Sequence, residues 1–592
     1  MPKLTINKNH VDVPDGTTIL EAARSIELNI PTLCYLKDIQ AIGACRVCLV
    51  EVEGAKTLAA SCVTPVVEGM VVHTNSQRAR DARRAVVELI ISEHNGDCQY
   101  CERNHDCELR RLASDMAITM PVYEGEKGRS IMDQSTPALV RDTGKCILCQ
   151  RCVTVCQEIQ SVTALFPQQR GFETVIGPPV STNLAGVACV QCGQCAAVCP
   201  VGAISEKNDI ARAWAALDDP DTMVIAQTAP AIRAAIGEGF GMPPGTLATG
   251  KMVVALRRLG FDYVFDTEFT ADLTILEEGT ELLTRLKEKL VDGADVKLPL
   301  FTSCCPAWIK FAEYFYPEML DHLSTCKSPQ QMCGAAVKTY YAKKIAKHPK
   351  NIFVVSIMPC TAKKYEAQRP EMEDSWTRDV DVVLTTRELV KMVKEAGIDF
   401  QSLPDDEMDA PLGLGTGAAD IFANTGGVME AALRTAYELV TGRVIPYENM
   451  HVLPIQGLEG VKEAAVKIEG ALPAWSFLEG ATLNIAVVHG LANAKKAVEM
   501  VKSGEKNYHF IEVMTCPGGC IGGGGQPRFT TMEVRKARIK AIYKEDELKV
   551  MRKSHENPDV LKIYEEFFDK PLSHKSHSFL HTHYHPRDRY ES

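Results

Sequence analysis

Hydrophobic and polar positions follow different rhythms along this chain. Near the N-terminus, Leu4-Thr-Ile6 and Val11-Asp-Val13 alternate on either side of a polar turn, which predicts a β-hairpin. Thr18-Ile-Leu-Glu21, ahead of Ala22 and Ala23, has capping-box spacing and predicts a short helix. From Ala79 to Glu93, Ala82, Val86, Leu89 and Ile90 recur at helical intervals among Arg and Glu, as in an amphipathic helix. Beyond about residue 209, apolar runs (Met223–Ala226, Tyr263–Phe265, Ile352–Ile357, Val380–Leu384 and Leu483–Val488) alternate with helical stretches at Lys251–Leu259, Glu281–Leu290 and Thr386–Ala396. That alternation predicts parallel sheets covered by helices, with ligand sites in the loops that follow the strands.

At 592 residues and 65.0 kDa, the chain exceeds what one core supports, so a multidomain protein is expected, α/β with α+β parts. A net charge of −11 without a long basic block argues against nucleic acid or an anionic membrane as the main partner. No apolar stretch follows the first basic residues, and no run approaches the length of a membrane span, so a cytoplasmic location is expected. Cysteine changes the picture most. Twenty-two thiols in a reducing compartment point to metal ligation rather than disulfides. Fifteen of them fall in the first 200 residues, five in three later motifs, and Cys326 and Cys333 remain as packing residues.

Cys34, Cys45, Cys48 and Cys62 form one close pair flanked by two distant thiols, which is not zinc-ribbon spacing. With the hairpin and helix ahead of them, they resemble a plant-type [2Fe–2S] ferredoxin, a β-grasp domain, with a longer first gap. His94, Cys98, Cys101 and Cys107 are by themselves as compatible with structural zinc as with an iron–sulfur cluster. Placed directly after such a domain, they resemble the His-ligated [4Fe–4S] segment in the large iron–sulfur subunit of respiratory NADH dehydrogenase. Cys146-x2-Cys149-x2-Cys152-x3-Cys156 then repeats as Cys189-x2-Cys192-x2-Cys195-x3-Cys199-Pro200. In two-cluster ferredoxins the fourth Cys of each run serves the other cluster. One [4Fe–4S] is therefore expected on Cys146, Cys149, Cys152 and Cys199, the other on Cys189, Cys192, Cys195 and Cys156. Four clusters in a row would make a path for single electrons.

The later motifs are Thr302-Ser-Cys-Cys-Pro306, Met358-Pro-Cys-Thr-Ala-Lys-Lys-Tyr-Glu366 and the Gly-rich stretch Glu512–Pro527, which carries Cys516 and Cys520. Gly522–Gly525 would let main chain come close to a bulky inorganic group. In this order and at these separations, the motifs resemble the three active-site signatures of [FeFe]-hydrogenases. With the four cluster sites ahead of them, the likeness is to the hydrogen-activating subunit of soluble NAD(P)-linked hydrogenases, electron bifurcation being left open.

That resemblance implies that Cys305, Cys360, Cys516 and Cys520 hold a [4Fe–4S] cube. Cys520 would also bridge to a two-iron unit carrying CO, CN⁻ and an azadithiolate, completing an H-cluster. Lys363 would donate to a cyanide, and Met358, Met514 and Pro230 would line the pocket. Spacing alone reads both Met residues as core filling. Ala231 stands where many relatives have Ser, and Ala307 where Gly is usual. H2 cleavage also needs a proton exit, for which the resemblance implies Cys304, then Glu278, Ser324, Glu281 and Arg285. A free thiol, with an ordinary pKa of about 8.5, suits a first relay. Taken alone, Glu278, Glu281 and Arg285 fit a solvated helix face with i,i+4 pairing.

The implied partners are H2 and protons, and subunits carrying flavin, NAD(P) and [2Fe–2S] centres, or ferredoxin. An electron carrier or iron–sulfur assembly factor would need neither Cys520 nor the relay, and a hydrogen sensor tends to lose the relay Cys. Gly413-Leu-Gly415-Thr-Gly417-Ala418 satisfies a dinucleotide fingerprint but follows Met-Asp-Ala-Pro instead of a strand, and reads as turn backbone. His574, His577, His581, His583 and His585 read as an exposed polar terminus. The expected divisions are 1–78 for the [2Fe–2S] domain, 79–137 for the His-Cys segment, 138–208 for the two-cluster domain, 209–535 for the catalytic domain of two lobes, and 536–592 for a helical extension and tail.

Overall fold

A computed structural model of the protein describes residues 1–120, 123, 127–128, 130–528 and 530–590. The expected hairpin forms from Lys3–Ile6 and Asn9–Asp12, and Lys3–Ile6 also runs parallel to Met70–His73 in a five-stranded mixed sheet. Thr18 caps the helix Ile19–Arg24, while the Glu21 carboxylate turns to the Tyr35 hydroxyl at 2.8 Å and to Arg24 at 2.9 Å. The expected helix runs Gln77–Glu93, its first turn capped by Ser76, but its buried positions are Ala79, Arg83, Val87 and Glu88, while Ala82, Val86 and Ile90 are half-buried and Leu89 is exposed.

The duplicated Cys runs share a backbone device. Leu148 and Gln150 in the first run, and Gln191 and Gly193 in the second, have φ of 53°, 59°, 57° and 71°. Three of these four are not glycine, in a region L-residues rarely visit, so the fold around each run over-determines them. Short helices Arg151–Thr154 and Gln194–Val198 follow directly.

The larger portion is built on two four-stranded sheets. In the first, Tyr263–Asp266, Met223–Thr228, Ile352–Met358 and Val382–Thr385 are all parallel. In the second, Leu300–Phe301, Phe510–Met514 and Thr482–His489 are parallel, but the edge strand Val461–Lys467 pairs antiparallel, so parallel pairing is not universal. Its burial alternates in part, as an edge strand with one wet face should. The stretch read as a helix from Glu281 is the second half of a 24-residue helix, Thr267–Leu290, which starts without a loop after Tyr263–Asp266 because Asp266 caps it. Gly417 opens the short helix Gly417–Asp420; a side chain there would meet Asp546, so close packing accounts for that glycine.

Helices Met532–Leu548, Pro558–Ile563 and His574–Leu580 carry the chain back over the sheets. The tail corrects one expectation: His581 is buried, its ring 2.8 Å from the Thr325 hydroxyl and 3.1 Å from the Glu277 carboxylate, whereas His574, His577, His583 and His585 are exposed. Among the described residues, no helix is long and apolar enough to cross a membrane.

Candidate active site

Each sheet sends two neighbouring strands toward the same place. From the first sheet, Met223–Thr228 leads to Pro230 and Ala231, and Ile352–Met358 leads to Cys360 and Lys363. From the second, Leu300–Phe301 leads to Cys304 and Cys305, and Phe510–Met514 leads to Cys516 and Cys520. All of these side chains line one cavity of about 80 Å³, together with Met358, Met514, Gln330 and Phe422. Carboxyl ends of parallel strands are where α/β folds place ligands. Met358 and Met514 belong both to the core and to the cavity wall. Ala231 lines the cavity without a hydroxyl, and Ala307 is fully accommodated in the buried helix Pro306–Phe315.

The glycines of the last loop bring backbone close on two sides: Gly519 and Gly523 line the cavity itself, and the run also packs on neighbouring loops. A side chain on Gly523 would strike the Pro359 carbonyl, on Gly524 the Cys192 carbonyl, and on Gly525 the Thr385 methyl at 2.8 Å. Backbone packs on backbone, drawing together the Cys360 loop, the Cys516–Cys520 loop and the second Cys run. Thr361 seals the same junction by donating to the Gln191 carbonyl at 2.8 Å.

Lys363 donates to the Cys304 carbonyl at 3.1 Å and pairs with Glu366 at 2.8 Å. Burial works against its ammonium, but Glu366 outweighs that and holds the group charged. Glu366 also receives Ser328 at 2.9 Å and Gln330 at 3.1 Å. Cys305 lies 3.2 Å from the Thr515 hydroxyl. Thr515 and Gln330 were not legible as site residues, since nothing in their spacing sets them apart; Glu366 had a signal, its i+3 position from Lys363.

Burial pushes the Cys304 thiol well up, with Glu278 adding to the effect. Glu278 sits on the helix Thr267–Leu290 and is buried with one carboxyl oxygen unpartnered; burial, then Glu281, push its carboxyl up to about 8. Ser324 donates to Glu281 at 2.8 Å, and Arg285 to Glu281 at 2.7 Å, with Arg285 reaching the Asp321 carbonyl at 2.9 Å. The i,i+4 pair is therefore real, but Glu278 and Glu281 are 2% and 7% exposed, which rules out a solvated face. Cys326 and Cys333 are both buried in the core as expected, with the Cys326 thiol also 3.9 Å from Glu281.

The remaining thiols gather in separate hollows. Cys146, Cys149, Cys152 and Cys199 line one; Cys156, Cys189, Cys192 and Cys195 line a second; His94, Cys98, Cys101 and Cys107 line a third. Cys48 and Cys62 approach to 3.4 Å, and Cys34 contacts both Cys45 and Cys62. The Nδ1 atom of His94 is buried without a partner. Among the described residues, no three His, Cys, Asp or Glu converge as they would on a single ion. Rings of soft thiols around a hollow suit a polynuclear cluster better than one tetrahedral zinc. The hollows form a fork, not a row. Gln40 donates to the carbonyls of Cys34 at 2.7 Å and Cys149 at 2.9 Å, while Gly202 packs on the Cys101 sulfur and Arg103 bonds the Cys199 carbonyl.

Comparison with known proteins agrees with this anatomy. The family described as iron only hydrogenase large subunit, C-terminal domain, matches residues 222–524, and iron hydrogenase small subunit matches 532–587. Ahead of them, a 2Fe-2S iron-sulfur cluster binding domain matches 2–77, the NADH-ubiquinone oxidoreductase-G iron-sulfur binding region 83–121, and a 4Fe-4S dicluster domain 145–203. Fold and site thus define an iron–sulfur oxidoreductase. The chain belongs to the iron-only, or [FeFe], hydrogenase family, and it is an enzyme of H2 activation and electron transfer. It is 50% identical to NADP-reducing hydrogenase subunit HndD of Solidesulfovibrio fructosivorans, over 100% of both chains. Iron hydrogenase 1 of Clostridium pasteurianum is 40% identical over 99% of this chain and 100% of its own. A solved [FeFe]-hydrogenase HydA1 from Chlamydomonas reinhardtii is 44% identical, with a TM-score of 0.57, over 64% of this chain and 100% of that one. Cytosolic iron-sulfur assembly component 3 of Bos taurus is more distant, 29% identical over 62% of this chain and 76% of its own.

Proposed function

We propose that the protein interconverts H2 with protons and electrons at a six-iron H-cluster held by Cys305, Cys360, Cys516 and Cys520, with Cys520 shared between cube and two-iron unit. The carrying observation is that these four thiols, Cys304 and Lys363 line one mostly apolar cavity fed by both sheets. The bound group supplies the site at which H2 is split heterolytically. Lys363, fixed by Glu366, provides a buried positive donor for an anionic diatomic ligand. Met358 and Met514 offer soft, polarisable walls. Cys304 takes up or returns the proton, and Glu278, Ser324, Glu281 and Arg285 carry it outward.

Cys34, Cys45, Cys48 and Cys62 would hold one [2Fe–2S] cluster and three further sets would hold [4Fe–4S] clusters, supplying sites for single-electron transfer. Those sets are His94, Cys98, Cys101 and Cys107; Cys146, Cys149, Cys152 and Cys199; and Cys156, Cys189, Cys192 and Cys195. The fork of contacts supports two entries, from the [2Fe–2S] and His94 sites, that merge at the hollow of Cys146. The N-terminal mixed sheet supports a β-grasp [2Fe–2S] domain at 1–78, and the proposed division at 208 falls between the strand Ile204–Glu206 and the helix Ile210–Leu217, whereas 137 lies between the paired strands Met132–Asp133 and Leu139–Asp142 and 535 lies inside the helix Met532–Leu548. Because a similar chain is named as one subunit of an NADP-reducing hydrogenase, we place the external redox partners on flavin- and NAD(P)-carrying subunits or ferredoxin, in the cytoplasm. Metal analysis of the anaerobically matured protein tests this reading: about twenty irons per chain are expected, and sixteen to eighteen would indicate a carrier without the two-iron unit.

A further inference from the structure

The segment Leu323–Lys327 carries Ser324, yet it is neither helix nor full strand; it makes only isolated bridges, to Phe301 on one side and His581 on the other. Its own protein body holds one side. Ser324 N–H donates to the Phe301 carbonyl at 2.8 Å, and Thr325 N–H to Glu281 at 3.2 Å. The other side is held by the C-terminal tail. Tyr584 donates its hydroxyl to the Ser324 carbonyl at 2.9 Å, Thr582 N–H donates to the Thr325 carbonyl at 2.7 Å, and Lys327 N–H donates to the Leu580 carbonyl at 2.8 Å.

His581 links this segment to the neighbouring helix. One ring nitrogen lies 2.8 Å from the Thr325 hydroxyl and the other 3.1 Å from Glu277, the residue immediately before Glu278 on Thr267–Leu290. Glu277 is itself fully engaged, accepting from Tyr564 at 2.7 Å, Ser576 at 2.5 Å and Leu572 N–H at 2.8 Å. The tail thus spans the two elements that carry Ser324 and the Glu278–Glu281 pair.

We propose that residues 580–584 are a clamp that sets the spacing of the proton path, with His581 and Tyr584 as positioning residues for Ser324. The inference rests on the proton path proposed above. Proton transfer needs donor and acceptor within hydrogen-bond reach, and the Ser324–Glu281 contact has only one short bond to lose. A misplacement of about 1 Å is enough to cost on the order of 100-fold in rate.

The test uses the full, cluster-loaded chain, with His581→Leu, His581→Gln, Tyr584→Phe and Ser324→Ala compared for turnover, solvent deuterium isotope effect and iron content. His581→Leu is expected to lower turnover about ten-fold or more, with a raised isotope effect and unchanged iron. His581→Gln, which keeps a hydrogen-bonding head, should recover most of the loss, and Tyr584→Phe, which removes one hydroxyl and nothing else, should fall a few-fold with the same isotope signature. If Ser324→Ala is impaired while both His581→Leu and Tyr584→Phe behave as wild type, the clamp is wrong. A loss with an unchanged isotope effect, or one that Gln does not relieve, assigns the tail to structure alone and also overturns it. Full turnover in Ser324→Ala instead overturns the path, and the clamp with it.

Discussion

A side chain on Gly524 would strike the carbonyl oxygen of Cys192, so the active-site loop and the second Cys run share a backbone contact that admits no other residue. Gly524→Val must push the two apart. Such overpacking costs about 1–3 kcal/mol, and the separation should slow H2-driven reduction of the auxiliary clusters. Stopped-flow bleaching of the iron–sulfur absorbance under H2, alongside thermal unfolding, checks both; unchanged bleaching would show that this contact does not set the electron path.

Cys304→Ala removes the first relay without touching a proposed ligand. All clusters should still assemble, but turnover should nearly vanish, whereas Cys304→Asp, which restores an exchangeable proton, should keep part of it. Steady-state H2 evolution with iron quantification decides, and full activity in the Ala variant would remove Cys304 from the path.

Glu278 gives the path a pH signature in stability. Burial and Glu281 raise its carboxyl from the ordinary 4.5 to about 8. Between these values the unfolded chain has lost the proton that the folded chain keeps. The contribution is complete below 4.5 and is lost as pH rises toward 8, at up to about 1.4 kcal/mol per unit. Glu278→Gln should remove that slope, so urea unfolding at the two ends of the window should show wild type losing ground to the variant as pH rises. A constant difference would contradict the assignment.

Much of this was legible because metal ligation writes itself in spacing. The Cys146 and Cys189 runs, the five later thiols and the strand Ile352–Met358 ahead of Cys360 appear where pattern reading expects them. What spacing cannot carry is the side of an element that the fold buries. Glu278, Glu281 and Arg285 have the pattern of a wet helix face, and it takes the packing of the 323–327 segment and of neighbouring helices such as Pro329–Ala336 and Gly427–Thr441 against Thr267–Leu290 to bury it. His581 looked like one more residue of a polar terminus for the same reason. The glycines were legible as places of close approach, but not what approaches, which is backbone contributed by distant residues Pro359 and Cys192.

Charge pairing across segments was equally hidden. Glu206 receives Arg387 at 2.7 Å and Arg528 at 3.0 Å, while Arg528 also reaches Asp106 at 2.7 Å and Arg387 the Gly524 carbonyl at 2.8 Å. Nearby Arg pairing outweighs burial and keeps Glu206 ionised, well below the ordinary range. Glu206→Ala leaves two buried guanidinium groups facing each other, and a loss of about 3–5 kcal/mol is expected in denaturant unfolding. A loss under about 1 kcal/mol would mean the pairs are solvated in the working protein.

Infrared spectroscopy of the anaerobically matured protein in the CO and CN⁻ stretching region reads the two-iron unit itself. Bands from bound CO and CN⁻ are expected in the wild type and absent from Cys520→Ala, because Cys520 would be the one thiolate joining that unit to the chain. A matured wild type without those bands, or a Cys520→Ala variant that keeps them, would contradict the assignment of this cavity as the site of H2 chemistry.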